Sequence, residues 1–351
     1  MKKLNSVLII AVLTVSLLAG CSNSSGASSG TTSREPQVTY ATNITVYMPI
    51  EYVDMSVLRD FEKEFNVGVI LEEFDSNEEM YDDITKASEY DVVVPSDYMI
   101  DRLIQENSLA KLDHSKLSNI SYISRQYIGP EYDKTNDYHV PYMVGTLGIL
   151  YNRKTLQISS WQDMFNANGI LMVDSERDAV GVALKMLGYS MNTTNDSELE
   201  AARQALQGAK SNIRGFYDTT YIVDMIAAQE AFIGMVYSGD GKMAVDLNPN
   251  LAYIIPEEGS NKWTDALVIP ADSSNIDLAH QFINFMCRPN IAIRNMSSIG
   301  YTSPVQDAWS EFAGNAIMFP NDESLVRCEA FVHSDQITTK YGKVWSSIRD
   351  K

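Results

Sequence analysis

The chain has few of the residues from which catalytic and metal sites are usually built. Its 351 residues include three cysteines and four histidines, and the histidines are far apart in sequence, at His114, His139, His280 and His333. It contains no Gly-x-Ser-x-Gly turn, no His-Glu-x-x-His pair and no glycine-rich phosphate loop. We therefore expect no metal and no cofactor. Because catalytic groups can meet in space without a motif, an enzyme remains as the least favoured alternative.

Basic residues are also scarce. The chain has 27 Lys and Arg against 46 Asp and Glu, which gives a formal net charge of −19. Nucleic-acid binding depends on clustered basic side chains, so this balance argues against it. An acidic surface would attract cationic ligands, although an acidic total can also serve solubility alone.

Long apolar runs are limited to one, near the start of the chain. It covers Val7 to Ala19, follows Met1-Lys2-Lys3 and ends at Leu18-Ala19-Gly20-Cys21, which is the pattern of a secretory signal peptide. The run is shorter than the roughly 20 residues of a spanning helix. A cysteine directly after the small residues resembles a bacterial lipoprotein signal. The resemblance implies cleavage after residue 20 and lipid on Cys21.

The segment after the leader has little apolar content. Residues 21–40 consist mostly of Ser, Gly, Thr and Asn, a composition that predicts a flexible tether. Cleavage would remove Lys2 and Lys3, so 25 basic residues would remain against 46 acidic ones, a formal charge of −21. About 310 residues follow, enough for two domains.

Two cysteines remain beyond the leader. Outside the cytoplasm Cys287 and Cys328 could form a disulfide. However, Cys287 ends the apolar run Phe282–Cys287, which is typical of a buried helix. We favour two free, buried thiols.

Strand and helix patterns alternate along the remainder of the chain. Residues 44–48, 67–74 and 90–94 predict strands, with helices between them and a helix capped by Ser96 behind them. A second unit of the same kind follows Gly145. This alternation predicts an α/β fold with a largely parallel sheet. Ligands of such sheets bind beyond the carboxyl ends of the strands.

Acids stand beside aromatic residues at several predicted strand ends. The pairs are Glu51-Tyr52, Asp97-Tyr98, Tyr237 with Asp240, and Trp263 with Asp265. A polycation with methylene spacers needs carboxylates for its ammonium groups and ring faces for its chain. Any one pair could equally be a solvated acid beside a half-buried ring. Four pairs near one expected cleft favour a cation site.

These segments carry a family resemblance that extends from about Ile44 to Lys351. The chain resembles the bacterial spermidine/putrescine-binding proteins of ABC importers. The similar stretches are Asp91–Ser96, Met99–Leu103, Lys111–Asp113, Asn136–Tyr142, Leu187–Ser190, Asn192–Thr194 and Ile299–Tyr301.

The resemblance implies a two-lobed periplasmic-binding-protein-like fold (type II) with a ligand cleft between the lobes. It places residues 41–145 and 264–309 in the first lobe, and residues 146–263 and 310–351 in the second. Strands would cross between the lobes near Gly145 and Trp263, and the C-terminal segment would pack on the second lobe. The lobes would close over a ligand by a hinge motion.

The resemblance also implies a set of ligand-binding residues. Asp265 and Asp240 would pair with ammonium groups, while Asp178 and Glu51 would hold further amines or limit the ligand's length. The remaining residues would line the cleft or enclose the methylene chain; they are Tyr52, Ser96, Tyr98, Tyr237, Trp263 and Tyr301. The chain departs from the family pattern at Pro49, Ser175 and Phe331, which leaves the choice of ligand open.

The resulting hypothesis is an extracytoplasmic solute-binding lipoprotein that captures a putrescine- or spermidine-type polyamine. We expect a monomer without enzymatic activity. It would be anchored to the outer face of the cytoplasmic membrane, or be periplasmic. It would serve ABC permease subunits with a cytoplasmic ATPase. One alternative keeps the fold but binds another small organic cation, and a second is a surface lipoprotein that acts in adhesion or as a scaffold.

Overall fold

The structure, a computed structural model, describes residues 40–86 and 90–349. The predicted signal peptide (1–20), Cys21 and the tether as far as residue 39 lie outside these residues. The strands of the described part are β1 (Asn43–Pro49), β2 (Gly68–Phe74), β3 (Val92–Val93), β4 (His139–Asn152), β5 (Ile170–Val173), β6 (Ile213–Tyr217), β7 (Ile233–Tyr237), β8 (Leu251–Ile254) and β9 (Lys262–Val268). Its α-helices are α1 (Met55–Phe65), α2 (Asn77–Ile84), α3 (Asp97–Gln105), α4 (Trp161–Asn166), α5 (Glu176–Met186), α6 (Asp196–Ala209), α7 (Thr219–Ala227), α8 (Ser238–Leu247), α9 (Ile276–Met286), α10 (Pro289–Ile299), α11 (Asp322–Val326) and α12 (Asp335–Arg349).

Polar residues cap the first helices, with one exception. Asp54 and Ser76 precede α1 and α2, and the side chain of each accepts a hydrogen bond from an amide of the first turn. Such bonds satisfy amide groups that have no partner within the helix. The predicted cap at Ser96 is wrong, because its hydroxyl makes no capping bond to α3. That hydroxyl instead accepts a hydrogen bond from the Asn77 side chain at 3.0 Å.

The strands of the described residues form one mixed sheet in the order β2-β1-β3-β9-β4-β7-β5-β6, with β8 paired to β4. Strand β1 is parallel to β2 and β3, and β5 is parallel to β6 and β7. The prediction of a largely parallel sheet is wrong for the middle of the sheet, where β4 is antiparallel to β7, β8 and β9. Strand β4 is 14 residues long. Its first part pairs with β9 and its second part with β7 and β8, so it links the two parallel groups.

Separate hydrophobic cores form on the two halves of the sheet. The half that contains β1, β3 and β9 is covered on one side by α1, α9 and α10, where the Phe61 ring lies 5.1 Å from Phe282 and 5.4 Å from Phe285. Its other side packs against α2 and α3. The β5-β6-β7 group has its own core, which includes the fully buried Trp161 and Tyr341. Burial of apolar surface, at about 25 cal/mol per Å², stabilises each group on its own.

We propose that the two cores correspond to the two predicted lobes. Helix α12 packs in the second core, as the resemblance implied, and the Tyr341 hydroxyl donates to the Met191 carbonyl at 2.6 Å. Residues 310–319 were predicted in the second lobe, yet Met318 is buried in the first core and accepts a hydrogen bond from the Thr302 hydroxyl at 2.7 Å. We therefore place the first lobe at residues 41–145 and 264–319.

Both cysteines of the described residues are free, buried thiols. This confirms the preference for free thiols over a disulfide. Burial raises the pKa of Cys287 to about 12 and also raises that of Cys328. Within residues 40–86 and 90–349, no helix combines the length and the apolar character needed to cross a bilayer.

Candidate ligand-binding site

The ends of parallel strands bring predicted site residues to the junction of the two lobes. Tyr52 follows β1, and Ser96 follows its parallel neighbour β3. In the second lobe, Asp178 lies in the first turn of α5 behind β5, and Tyr237 ends the parallel strand β7. Carboxyl ends of strands are the usual ligand-binding edge of α/β sheets. The strand-end positions expected from the sequence are therefore observed.

Asp265, on β9, is buried beside the end of β1. Only 6% of it is exposed, and the Tyr52 hydroxyl donates to its Oδ2 at 2.6 Å. Ser96 forms an isolated backbone bridge with the same residue. Burial raises the pKa of Asp265 to about 6, while the Ser96 and Tyr52 hydroxyls favour the charged form and oppose the rise. A cation bound beside this carboxyl group would favour its ionised form.

The second lobe contributes two further acids. Asp178 is 5% exposed and accepts a hydrogen bond from the Tyr237 hydroxyl at 2.8 Å. Asp240, in the first turn of α8, accepts one from the Tyr301 hydroxyl at 3.0 Å. Burial raises the pKa of both acids. Because Tyr301 belongs to the first core, its bond to Asp240 joins the two lobes.

Four of the predicted aromatic residues form one continuous wall. The Tyr301 ring centre lies 5.6 Å from that of Tyr52 and 5.1 Å from that of Trp263, and Trp263 lies 6.3 Å from Tyr237. The rings meet edge to face, with interplanar angles of 61°, 69° and 89°. This is a favourable arrangement for aromatic pairs. Ring faces also attract cations within about 6 Å, so the wall suits an organic cation.

Three buried polar atoms of this wall have no hydrogen-bond partner among the described residues. They are Oδ1 of Asp265, Oδ1 of Asp178 and Nε1 of Trp263. A buried polar group without a partner costs about 1–3 kcal/mol, so such atoms need an explanation. A ligand with N–H donors would satisfy both carboxylate oxygens. The indole N–H is itself a donor, and water would be its partner.

Two predicted site residues, Glu51 and Tyr98, take part neither in these ring contacts nor in the hydrogen bonds to the three acids. Glu51 is exposed, and its amide donates to the Glu73 carboxylate at 2.7 Å. Burial, and to a smaller extent the charge of Glu51, raise the pKa of Asp240. Tyr98 donates to the Glu78 carboxylate at 3.1 Å, and the Arg177 guanidinium lies 4.2 Å from its ring centre. One face of the Tyr98 ring is therefore already covered by a cation of the protein.

The structure shows where the three residues that depart from the family pattern lie. The Ser175 hydroxyl caps α5 by accepting a hydrogen bond from the Asp178 amide at 3.3 Å. Phe331 is buried in the second core. Pro49 is the last residue of β1. With its capping bond, Ser175 fixes the helix turn that holds Asp178.

Two charged residues of this junction were not among the predicted site residues. Both Asp97 and Arg177 are 6% exposed and lie in the first turns of α3 and α5. Arg177 lies 4.0 Å from the Glu78 carboxylate and donates to the Thr338 hydroxyl at 3.1 Å. A signal for Asp97 exists in the sequence, because it shares a helix face with Ile100 and Ile104. For Arg177 we find no comparable signal.

Comparisons with known proteins agree with this geometry. Residues 56–318 match the bacterial extracellular solute-binding protein family. A spermidine/putrescine-binding periplasmic protein of Salmonella typhimurium is 33% identical over 291 residues, which cover 80% of this chain and 83% of that protein.

Solved structures of related proteins are also similar to this chain. A Listeria monocytogenes protein, described provisionally as a spermidine/putrescine ABC transporter, is 34% identical with a TM-score of 0.83, over 88% of this chain and 99% of that one. The Tp0655 (TpPotD) lipoprotein of Treponema pallidum is 26% identical with a TM-score of 0.79, over 88% of this chain and 100% of that one. This chain is thus similar in sequence and in fold to solute-binding proteins over most of its length.

Proposed function

The chain belongs to the bacterial extracellular solute-binding protein family, and from that premise we propose that it captures a polyamine for an ABC importer. Its fold is the two-lobed α/β fold of periplasmic binding proteins. In this fold a ligand is held between the lobes, where the acids and rings of this chain lie.

The observation that carries the proposal is the pair of unpartnered carboxylate oxygens on opposite lobes. Asp265 Oδ1 belongs to the first lobe and Asp178 Oδ1 to the second, and both atoms are buried. Burying carboxylates without partners is costly, and pairing them with cations offsets much of that cost. A ligand with an ammonium group at each end would pair both oxygens and hold the lobes together.

The aromatic wall accounts for the apolar part of such a ligand. The rings of Tyr52, Tyr301, Trp263 and Tyr237 run from Asp265 towards Asp178, because Tyr52 is bonded to the first acid and Tyr237 to the second. Methylene groups between two ammonium groups would lie against these rings. In this proposal Asp240 holds a further amine, Ser96 and Tyr98 border the cleft, and Glu51 stands at its rim.

Relatives and composition support the remaining parts of the proposal. The Salmonella relative is named for spermidine and putrescine, and the Treponema relative is named a lipoprotein. We propose that Cys21 carries the lipid anchor at the outer face of the cytoplasmic membrane. There the protein would act as a monomer and deliver its ligand to permease subunits with a cytoplasmic ATPase. The formal charge of −21 after cleavage, from 25 basic and 46 acidic residues, would favour the approach of a polycation.

A thermal-shift screen tests the proposal. The panel contains putrescine, spermidine, spermine, agmatine, arginine and lysine. A ligand at 100 times its Kd adds about 2.7 kcal/mol to stability. We expect a shift with at least one polyamine, and we expect Asp265→Asn to reduce it to less than half, because losing one partner of a buried charge pair costs about 2–5 kcal/mol of binding.

The control variant is Asp277→Asn, which removes the same charge from α9. Its side chain is 88% exposed and pairs with Lys116, so we expect the wild-type shift. A shift with agmatine or a basic amino acid alone would select another organic cation as the ligand. No shift with any compound of the panel would contradict transport binding and favour a scaffold or adhesion role.

A further inference from the structure

A second carboxyl group is buried beside Asp265. Asp97 Oδ2 accepts a hydrogen bond from the Thr264 amide at 3.3 Å, and Oδ1 accepts one from the Tyr98 amide at 2.8 Å. The backbone bridge between Ser96 and Asp265 fixes this placement, since it sets residues 96–97 against residues 264–265. The two acids are therefore close neighbours in the first lobe, and Asp97 is as enclosed as Asp265, at 6% exposure.

The side chain of Asp97, and not that of Ser96, bonds an amide of the first turn of α3. A serine cap would have bonded an amide of the first turn of α3, but the Ser96 hydroxyl is held by Asn77. Asp97 takes over part of that role by accepting from the Tyr98 amide. Its carboxylate is thereby kept at the positive end of the helix, which favours negative charge there.

Few charges of the opposite sign face this pair. The charges that act on Asp97 are those of Asp265 on β9 and Arg177 on α5. Tyr132, in the loop before β4, is close enough that burial and the charges of both carboxylates raise its pKa. Arg177 also faces Glu78 at 4.0 Å and the ring of Tyr98. The single positive charge of Arg177 cannot neutralise the three carboxylates of Asp97, Asp265 and Glu78.

We propose that Asp97 is a second anchoring carboxyl group of the cation site, and that it releases a proton to solvent when an ammonium group binds at Asp265. The inference rests on the proposed function. Without a ligand, the pair holds one proton and carries one negative charge. With a ligand, both carboxylates are ionised, the proton has gone to the buffer, and the ammonium group lies against two negative charges.

The electrostatics of the pair agree with this exchange. Burial, and then the charge of Asp265, raise the pKa of Asp97 to about 7, although two amides and Arg177 oppose the rise. Neighbouring buried carboxylates do not ionise together easily, and they titrate as a pair. A cation beside them favours the ionised forms. Affinity should therefore increase as the pH is raised from about 5.5 to 8.

Isothermal titration calorimetry with spermidine tests the inference. Titrations at pH 6.5 in two buffers of different ionisation enthalpy give the number of protons released per ligand. We expect about one for the wild type, and less than half of that for Asp97→Asn. At pH 8 the variant should bind roughly 100-fold more weakly, because each unit by which the ligand lowers the pKa of a carboxyl group corresponds to a factor of ten in affinity. At pH 5.5 the difference should shrink to a few-fold, because the carboxyl group of the wild type is then largely protonated before the ligand binds.

Asp101→Asn is the matched control, since it removes a carboxylate one turn further along α3. The Asp101 carboxylate accepts a hydrogen bond from the Gln105 amide group, and its variant should keep the wild-type proton release. Equal proton release and equal pH profiles in the wild type and Asp97→Asn would overturn the inference while leaving polyamine binding intact. Absence of a thermal shift with every polyamine of the panel at pH 8 would overturn the proposed function and this inference together.

A measurement on the wild type keeps the inference testable if Asp97→Asn does not fold. Carbon-13 NMR of labelled aspartate follows each carboxyl group directly. We expect two coupled titrations between about pH 5.5 and 7.5 without ligand, and their displacement below pH 5 with saturating spermidine. Carboxyl groups that titrate below pH 5 in both states would overturn the inference.

Discussion

At the scale of single residues, the Tyr52 hydroxyl favours the ionised form of Asp265. The Tyr52 hydroxyl donates to Asp265 at 2.6 Å and favours its ionised form, against the burial that raises its pKa. In turn, burial and the neighbouring acid raise the pKa of Tyr52 well above its usual value. The phenol therefore stays protonated and remains a donor. Ligand affinity should depend on this bond even though Tyr52 carries no charge.

We predict that Tyr52→Phe weakens polyamine binding about tenfold at pH 8. A hydrogen bond to a charged group contributes roughly 1.5–3 kcal/mol, and the lower value corresponds to about tenfold. Without the hydroxyl the pKa of Asp265 rises further, so the loss should be larger at pH 6 than at pH 8. Calorimetry with spermidine at both pH values measures the two losses.

Tyr142→Phe is the control for this change. Its hydroxyl donates to the Tyr52 carbonyl at 2.8 Å, and its ring contacts that of Tyr52 at 5.8 Å. The control thus removes a neighbouring hydroxyl without touching an acid. Equal losses in the two variants, or the same loss at both pH values, would contradict the role assigned to Tyr52.

Sequence reasoning reached part of this site. Pairs of acids and rings at predicted strand ends pointed to Tyr52, Trp263 and Asp265, although the structure places Trp263 and Asp265 within β9. Sequence reasoning did not select Asp97 over Glu51, although only Asp97 is buried. Both acids precede a tyrosine at a strand end. Burial depends on what packs around the turn, and for Asp97 that is Thr264 of a distant strand.

At the scale of elements, helix N-termini converge on a site proposed to hold a cation. Helices α3, α5 and α8 all begin there, and the positive end of a helix disfavours bound cations. Each of the three carries an acid in its first turn, namely Asp97, Asp178 and Asp240. The negative charges of these acids offset the positive helix ends, so the cleft remains negatively charged.

The first turn of α8 also requires a glycine. A Cβ atom at Gly239 would lie 2.6 Å from atoms of the Tyr301 ring, and Tyr301 belongs to the other lobe. Contacts this short do not occur between relaxed atoms, so the ring or the helix would have to move. The glycine therefore permits the two lobes to approach each other at the Tyr301–Asp240 bond.

We predict that Gly239→Ala lowers polyamine affinity about tenfold or more without lowering the melting temperature of the ligand-free protein. Overpacking costs roughly 1–3 kcal/mol, and here it acts on the closed arrangement of the lobes. Alanine favours the helix itself by up to about 1 kcal/mol. Thermal melts with and without spermidine separate the two effects.

Gly208→Ala provides the comparison. Gly208 lies in α6, and a Cβ atom there would meet no atom within 4 Å. This variant should gain helix stability and bind spermidine as the wild type does. A full ligand-induced shift in Gly239→Ala would show that the close approach at Tyr301 is not needed for binding.

The ends of helices could be predicted where a residue with a positive φ follows the helix, whereas the length of a strand could not. Helix α1 ends in the left-handed Asn66, and α5 is followed by Gly188 with a φ of 79°. Strand β3 was expected over residues 90–94 but pairs only at 92–93. A strand's length depends on its partners, and β3 pairs with β1 and β9, which are far away in sequence.

At the scale of the whole molecule, contacts across the lobes hold the described arrangement closed. Arg177 of the second lobe approaches Glu78 and covers the Tyr98 ring of the first. Tyr301 of the first lobe bonds Asp240 of the second. These contacts lie on both sides of the unpartnered oxygens of Asp265 and Asp178. A ligand between the lobes would add its ion pairs to the same closed arrangement.

The order of the strands was the part of the fold least accessible to sequence reasoning. The crossing near Gly145 and Trp263 was implied by resemblance, and the two residues are direct partners in the β4–β9 pair. The antiparallel pairing of β4 with three strands was not foreseen. Alternating strand and helix patterns indicate parallel units, but they carry no information about a long strand shared by two lobes.

A crystal structure of the protein with bound spermidine would show directly whether a polyamine binds between the lobes at Asp265. We predict an ammonium nitrogen within about 3 Å of Asp265 Oδ1. We also predict a second ammonium nitrogen bonded to Asp178 or Asp240, and methylene groups against the Trp263 and Tyr301 rings. Spermidine bound elsewhere, or a cleft in which Asp265 Oδ1 contacts only water while spermidine is present, would contradict this prediction.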